Sequence, residues 1–226
     1  MLFDGVHLPR PGDAAPLEDL SFAVAAGSVH MIAGPPGAGK TAIVELILGA
    51  LRPARGRIEL FARDAAHLRR RDWPLVRRRI GTIFQDLRLL DRLSAFDNVA
   101  MIPRIAGRRP GDYRDEVLEV LAWVGLGRSP AAPAGALNLR DRRRLALARA
   151  VIGRPDLVIA DEPTGGLDQP ASLSLLRRLA DLNRAGTTLI VATADEEMAE
   201  GLGAPVLWLD GGRERRGGAV PRAGAA

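Results

Sequence analysis

Eight consecutive residues restrict this chain more than any other feature. Gly34-Pro35-Pro36-Gly37-Ala38-Gly39-Lys40-Thr41 matches the pattern G-x-x-x-x-G-K-[ST] in full. The pattern requires a buried strand before it and a helix after it, and both are readable. Ser28–Ala33 is an apolar strand, and Lys40–Leu51 carries Ile43, Val44, Ile47 and Leu48 at helical spacing. Glycines let the backbone wrap a phosphate group, their N–H groups converge as an anion nest, and the helix N-terminus adds partial positive charge. The loop and Ala42 behind it are therefore the expected phosphate cradle. Lys40 would reach the terminal phosphates, and the Thr41 hydroxyl would ligate Mg²⁺.

Composition sharpens the reading of Lys40. Of the 32 basic residues, 31 are arginine and Lys40 is the only lysine. A chain that uses arginine wherever it wants a cation has kept lysine at the one position where a phosphate loop needs it. At 47% hydrophobic and 26% charged residues the chain reads as an ordinary globular protein, and 226 residues suffice for one domain with a small inserted lobe. No apolar run reaches the roughly 18–20 residues needed to span a bilayer, and the first ten residues do not read as a secretory signal. The absence of cysteine excludes disulfides and thiolate metal sites.

Strand–loop–helix units alternate at both ends. Met1–Leu8 and Leu17–Val24 read as strands around a Pro/Gly-rich turn at 9–16. Arg57–Phe61 and Ile80–Phe84 follow as strands, with a short helix at Trp73–Arg79. Later come Leu157–Ala160, a helix at Leu173–Asn183, and strands at Thr187–Ala192 and Pro205–Leu209. Residues 87 to 153 look mostly helical, with amphipathic Tyr113–Val124 and a helix at Arg142–Ile152. The pattern predicts a parallel α/β core with a helical insertion, in one domain over 1–210. The Gly/Arg-rich tail from Gly211 reads as disordered.

Leu157-Val158-Ile159-Ala160-Asp161-Glu162 is a buried-strand run ending in two carboxylates, suited to a metal ligand and a group that polarises water. It continues as Pro163-Thr164-Gly165-Gly166-Leu167-Asp168. This stretch resembles the Walker B and D-loop of the ATP-binding cassette (ABC) ATPases. Gln85, in Ile83-Phe84-Gln85-Asp86, resembles that family's Q-loop glutamine. Within the family, Gly81 to Leu90 and Phe96-Asp97-Asn98-Val99-Ala100 are similar to the FtsE cell-division branch; subunits for lipoprotein release and small exporters have similar segments.

The resemblance, over residues 1 to 210, implies a P-loop NTPase core with a small antiparallel β subdomain and an inserted helical subdomain. It implies ATP and Mg²⁺ as ligands, with Asp161, Thr41 and Gln85 at the metal and Glu162 as the catalytic carboxylate. It also implies an ATP-dependent homodimer and an integral membrane subunit of FtsX type. The place implied is the cytoplasmic, inner face of the plasma membrane.

The family pattern fails at three places. Counting back from Ala148-Arg149-Ala150, its L-S-G-G-Q signature falls on Leu137-Asn138-Leu139-Arg140-Asp141. Leu139 and Arg140 replace two glycines whose backbone the family brings close to a partner's nucleotide. Asn138 either donates a hydrogen bond there or caps the helix. Ala194, in Thr193-Ala194-Asp195, stands where the family has its switch histidine, and His7, His30 and His67 lie elsewhere. No aromatic occurs between Asp4 and Ser21 to stack on adenine. Each lost transition-state contact costs about 10²–10³ in rate, so hydrolysis is expected to be slow. The alternative role is a hydrolysis-deficient scaffold or sensor, and Arg140 acting in trans as an arginine finger is a route to rescue.

Clusters at Arg69–Arg71, Arg77–Arg79, Arg142–Arg144 and Arg213–Arg216 read first as solvated surface. Nucleic acid or anionic lipid are the alternative partners. Leu87, Leu89, Leu90, Leu93 and Phe96 are either core or a groove for a membrane subunit.

Overall fold

The computed structural model describes residues 1–9, 16–201 and 203–215. In chain order, the first stretch holds β1 (Leu2–Leu8), β2 (Leu17–Ala23), β3 (Val29–Ala33), α1 (Lys40–Ile47), β4 (Arg55–Leu60), β5 (Arg63–Asp64) and α2 (Trp73–Arg78). The middle holds β6 (Ile80–Ile83), α3 (Ala95–Ile105), α4 (Pro110–Trp123), α5 (Leu139–Val151), β7 (Leu157–Asp161) and α6 (Gln169–Arg184). The last stretch holds β8 (Thr188–Thr193), α7 (Glu196–Gly201), β9 (Val206–Asp210) and β10 (Arg213–Glu214). These elements form two compact units, one of Met1–Arg77 with the chain from Thr188 onward, the other of Arg78–Thr187.

The first unit contains two sheets. One is antiparallel in the order β2-β1-β4-β5. The other places β3 between β8 and β9, both parallel to it. From His30 to Ala33 the strand β3 is buried, as its apolar run predicts for a strand covered on both faces. Helix α1 buries Ile43, Val44 and Ile47, but it ends at Ile47, short of the expected Leu51. Gly49 stops it, adopting φ +64° while the Gly49 and Ala50 N–H groups donate back to Leu46 and Glu45.

The expected disordered tail is corrected over 211–215. Gly211 and Gly212, at φ 53° and 83°, form a tight turn that folds β10 back on β9, pairing Arg213 with Asp210. Two adjacent residues with positive φ are the requirement of a two-residue hairpin, and Gly-Gly meets it. Residues 216–226, and 10–15 of the expected turn at 9–16, lie outside the described residues.

In the second unit β6 and β7 pair in parallel, Ile83 opposite Ala160. Between them in sequence comes the expected helical block. Its core is Val99 and Ala100 of α3, Tyr113, Val117 and Leu121 of α4, and Leu145, Ala146 and Ala148 of α5, all at most 1% exposed. The fully buried Asn98 holds the loop before α3. Its Oδ1 accepts from the Leu90 N–H at 2.9 Å, and its Nδ2 donates to the carbonyls of Leu90, Leu93 and Ser94. Helices α5 and α6 both begin earlier than expected, because Asn138 and Asp168 cap them: Asn138 accepts from the Asp141 N–H and Asp168 from the Ala171 N–H.

Candidate functional site

In the first unit, the phosphate loop leaves the C-terminal end of β3 and enters α1. Gly39 stands at the N-cap with φ 107°, and no side chain caps the helix. A glycine at the N-cap puts no side chain of its own over the start of α1, and a helix N-terminus favours an anion. Lys40 is 6% exposed, and its ammonium donates to the carbonyls of Gly34 at 2.7 Å and Pro35 at 3.2 Å. The only lysine is thus folded onto the rim of its own loop. Close approach dictates the first glycine. A Cβ at Gly34 would stand 2.2 Å from the Leu209 carbonyl oxygen. The corrected tail supports the loop as well, since the Gly212 N–H donates to the Ala38 carbonyl at 3.1 Å.

The switch position lies beside this loop. Strands β3 and β8 run in parallel with Ala33 opposite Thr193, and the Gly34 N–H donates to the Thr193 carbonyl at 3.2 Å. Ala194 is the next residue and is exposed. Its side chain is a methyl group, which makes no hydrogen bond. Asp195 caps α7 through the Met198 N–H at 2.9 Å.

In the second unit the parallel register of β6 and β7 brings Gln85 and the Asp161–Glu162 pair to the same strand ends. Gln85 lies two residues beyond Ile83, and Glu162 two beyond Ala160. Asp161 is 2% exposed at the end of β7, Glu162 half-buried, and Gln85 exposed. Glu162 has φ +48°, a left-handed conformation that a non-glycine residue holds only under constraint from its surroundings.

Arg143 supplies that constraint. It is 5% exposed and forks across the turn, donating from Nη1 to the Glu162 carbonyl at 2.9 Å and from Nη2 to the Gly165 carbonyl at 2.8 Å. Burial lowers its pKa, while Glu162 and Asp161 pull it back up. From further along α5, Arg149 does the same for the segment after Gln85, donating to the carbonyls of Leu87 and Arg88, which have φ +60° and +46°. The sequence reading took Arg142–Arg144 as a solvated cluster. The structure corrects it: three successive helical residues point in three directions, 100° apart, and the middle one points inward.

The signature position is built for contacts within its own unit. Asn138 caps α5, accepting from the Asp141 N–H at 2.9 Å, which settles its two readings in favour of capping. Leu139 lies over the turn after β7, its Cδ2 2.9 Å from where a Cβ on Gly166 would stand. Arg140 pairs with Asp168 of the same turn at 3.1 Å.

The comparisons agree with this architecture. The ABC transporter family matches residues 17–165. The cell division ATP-binding protein FtsE of Bacillus subtilis is 33% identical over 207 residues, covering 92% of this chain and 91% of its own length. FtsE of Escherichia coli is 37% identical over 193 residues, covering 85% and 87%. An ATP-binding cassette solved as a dimer in a post-hydrolysis state with ADP and Pi superposes with a TM-score of 0.86 at 25% identity, covering 97% of this chain and 98% of that one. With its phosphate loop, Asp-Glu strand end and cassette fold in place, this chain belongs to the ABC transporter family, among its FtsE-like ATP-binding subunits.

Proposed function

We propose that this chain binds Mg-ATP for an FtsE-like membrane complex of cell division and holds the nucleotide far better than it hydrolyses it. The glycine-rich loop that runs from β3 into α1, with the Lys40 ammonium 2.7 Å from the Gly34 carbonyl, is the observation that carries the proposal. Gly34, Pro35, Pro36, Gly37, Ala38 and Gly39 wrap the phosphates, Ala42 adds an N–H from the first turn of α1, and Lys40 exchanges its two carbonyl partners for phosphate oxygens. Thr41, Gln85 and Asp161 are the residues assigned to Mg²⁺. They include one carboxylate, so they fit an ion held jointly with phosphate oxygens rather than in an all-protein cage. The ion supplies charge neutralisation on the phosphates when bound. Glu162 orients the attacking water.

Slow hydrolysis is the expected counterpart, and the signature and switch positions support it. Leu139 and Arg140 turn toward Gly166 and Asp168 of their own chain, and Ala194 offers no hydrogen bond. Arg140 is therefore engaged in cis, which favours a scaffold or ATP-state sensor over an arginine finger in trans. Partner docking is assigned to an integral membrane subunit of FtsX type, with ATP joining two copies of this chain. Leu87 is core, whereas Leu90 and Ile105 are 44% and 68% exposed and suit an apolar contact. Among the described residues no helix is long and apolar enough to cross a membrane.

Calorimetric titration with Mg-ATP tests the binding half. Lys40→Ala is expected to weaken binding about 10- to 100-fold, the loss of charge-assisted contacts to phosphate. Equal affinity in wild type and variant overturns the assignment.

A further inference from the structure

The N-terminal turns of α5 and the first half of α6 enclose a small cavity that the nucleotide chemistry does not use. Arg140, Arg143, Arg144 and Arg178 line it together with Ser174 and Leu175. The space open to the centre of a water-sized occupant is about 10 Å³, room for one small occupant.

Hydrogen bonding around this cavity is unbalanced. Arg140 has Asp168 at 3.1 Å and Arg144 has Asp141 at 3.2 Å. Arg143 spends both terminal nitrogens on the Glu162 and Gly165 carbonyls. Arg178 lays its guanidinium over the Trp123 ring at 5.4 Å. The Nε atoms of Arg143 and Arg178 are both shut off from solvent, and neither N–H has an acceptor among the described residues. Burial lowers the pKa of Arg178 and the neighbouring Arg144 charge lowers it further, while Asp181 acts in the opposite direction. Two buried donors without acceptors, in a chain this well bonded elsewhere, mark an occupant that accepts hydrogen bonds.

We infer that this four-arginine cavity binds a monatomic anion, chloride in ordinary salt. Three candidate occupants separate on chemistry. Guanidinium groups donate and do not accept, and among the lining side chains only the Ser174 hydroxyl does both. A water would accept from the arginines but leave at least one of its own protons without an acceptor. A phosphate or sulfate has five heavy atoms to place where there is room for the centre of one small occupant. A halide accepts from every donor, has one atom to place, and brings negative charge to a lining whose only ionisable side chains are four arginines. Its place, beneath the Arg143 fork, makes it a support for the turn carrying Glu162.

Thermal unfolding of the full chain tests this in sodium chloride against sodium gluconate at equal ionic strength. Gluconate is too bulky to enter. Wild type is expected to melt about 3–6 °C higher in chloride once chloride exceeds its dissociation constant tenfold. Arg178→Met keeps the stem over Trp123 but removes a donor and a charge, and its chloride–gluconate difference should fall below about 1 °C. Equal melting of wild type in the two salts overturns the proposal, as does a full chloride effect retained in Arg178→Met. Crystals soaked in bromide give a second readout, independent of the variant's stability. An anomalous peak between Arg143, Ser174 and Arg178 is expected, and ordinary density there without anomalous signal overturns the site.

Discussion

Helices α1 and α5 both begin where an ATP-binding cassette meets nucleotide, and this chain finishes their N-termini in opposite ways. At α1 the N-cap is Gly39, no side chain reaches back, and Lys40 waits on the carbonyls of its own loop. At α5 the Asn138 side chain already accepts the Asp141 N–H, Leu139 covers Gly166, and Arg140 holds Asp168. The first helix has no side chain of its N-cap residue over its start, while the second is capped by Asn138 and covered by contacts within its own chain. A site can therefore keep its grip on a nucleotide while losing the groups that act on the transferred phosphate, because the two tasks belong to different helix ends.

The largest expected effect comes from reopening the second helix end. Replacing Leu139 and Arg140 by glycine and Ala194 by histidine should raise Mg-ATP turnover by about 10²–10³. An unchanged rate in the triple variant, with ATP binding preserved, would show that the two helix ends are not what separates binding from turnover. Next is the Arg143 fork. Arg143→Leu leaves two carbonyls of a tight turn without their donor, and should cost about 2–4 kcal/mol in denaturant unfolding. A cost below about 0.5 kcal/mol would mean that the turn at Glu162 is held by other contacts. The smallest effect concerns Arg140 and Asp168. Their side chains are 49% and 58% exposed, so a double-mutant cycle on stability should give a coupling below about 1 kcal/mol. A larger value would make this pair a structural latch in its own right.

The phosphate loop was legible in the sequence because its chemistry is local. Glycine spacing, a lysine and a hydroxyl at fixed offsets, and the flanking strand and helix all lie within some twenty residues. The strand that ends at Asp161 was legible for the same reason, whereas Asn138 reads as either capping or donating until its contact with the Asp141 N–H is seen. Arg143 was not legible. Its partners lie about twenty residues away across a turn, and a run of three arginines on a helix does not reveal which one faces inward. The tail failed differently: Gly211 and Gly212 were read as flexibility, although paired positive-φ glycines are also what a tight hairpin needs. The start of α6 was marked by Asp168 followed by Pro170 near the first helical position, a signal that was present and passed over.

Separation of binding from turnover is the central claim, and one comparison addresses it directly. ATP turnover of the wild-type chain is measured beside Glu162→Gln at saturating Mg-ATP, with binding confirmed for both by calorimetry. The account predicts that both proteins bind ATP and that their turnover rates agree within about twofold, because the groups around Glu162 are already incomplete. A wild-type rate more than about tenfold above that of Glu162→Gln, with equal binding, contradicts it.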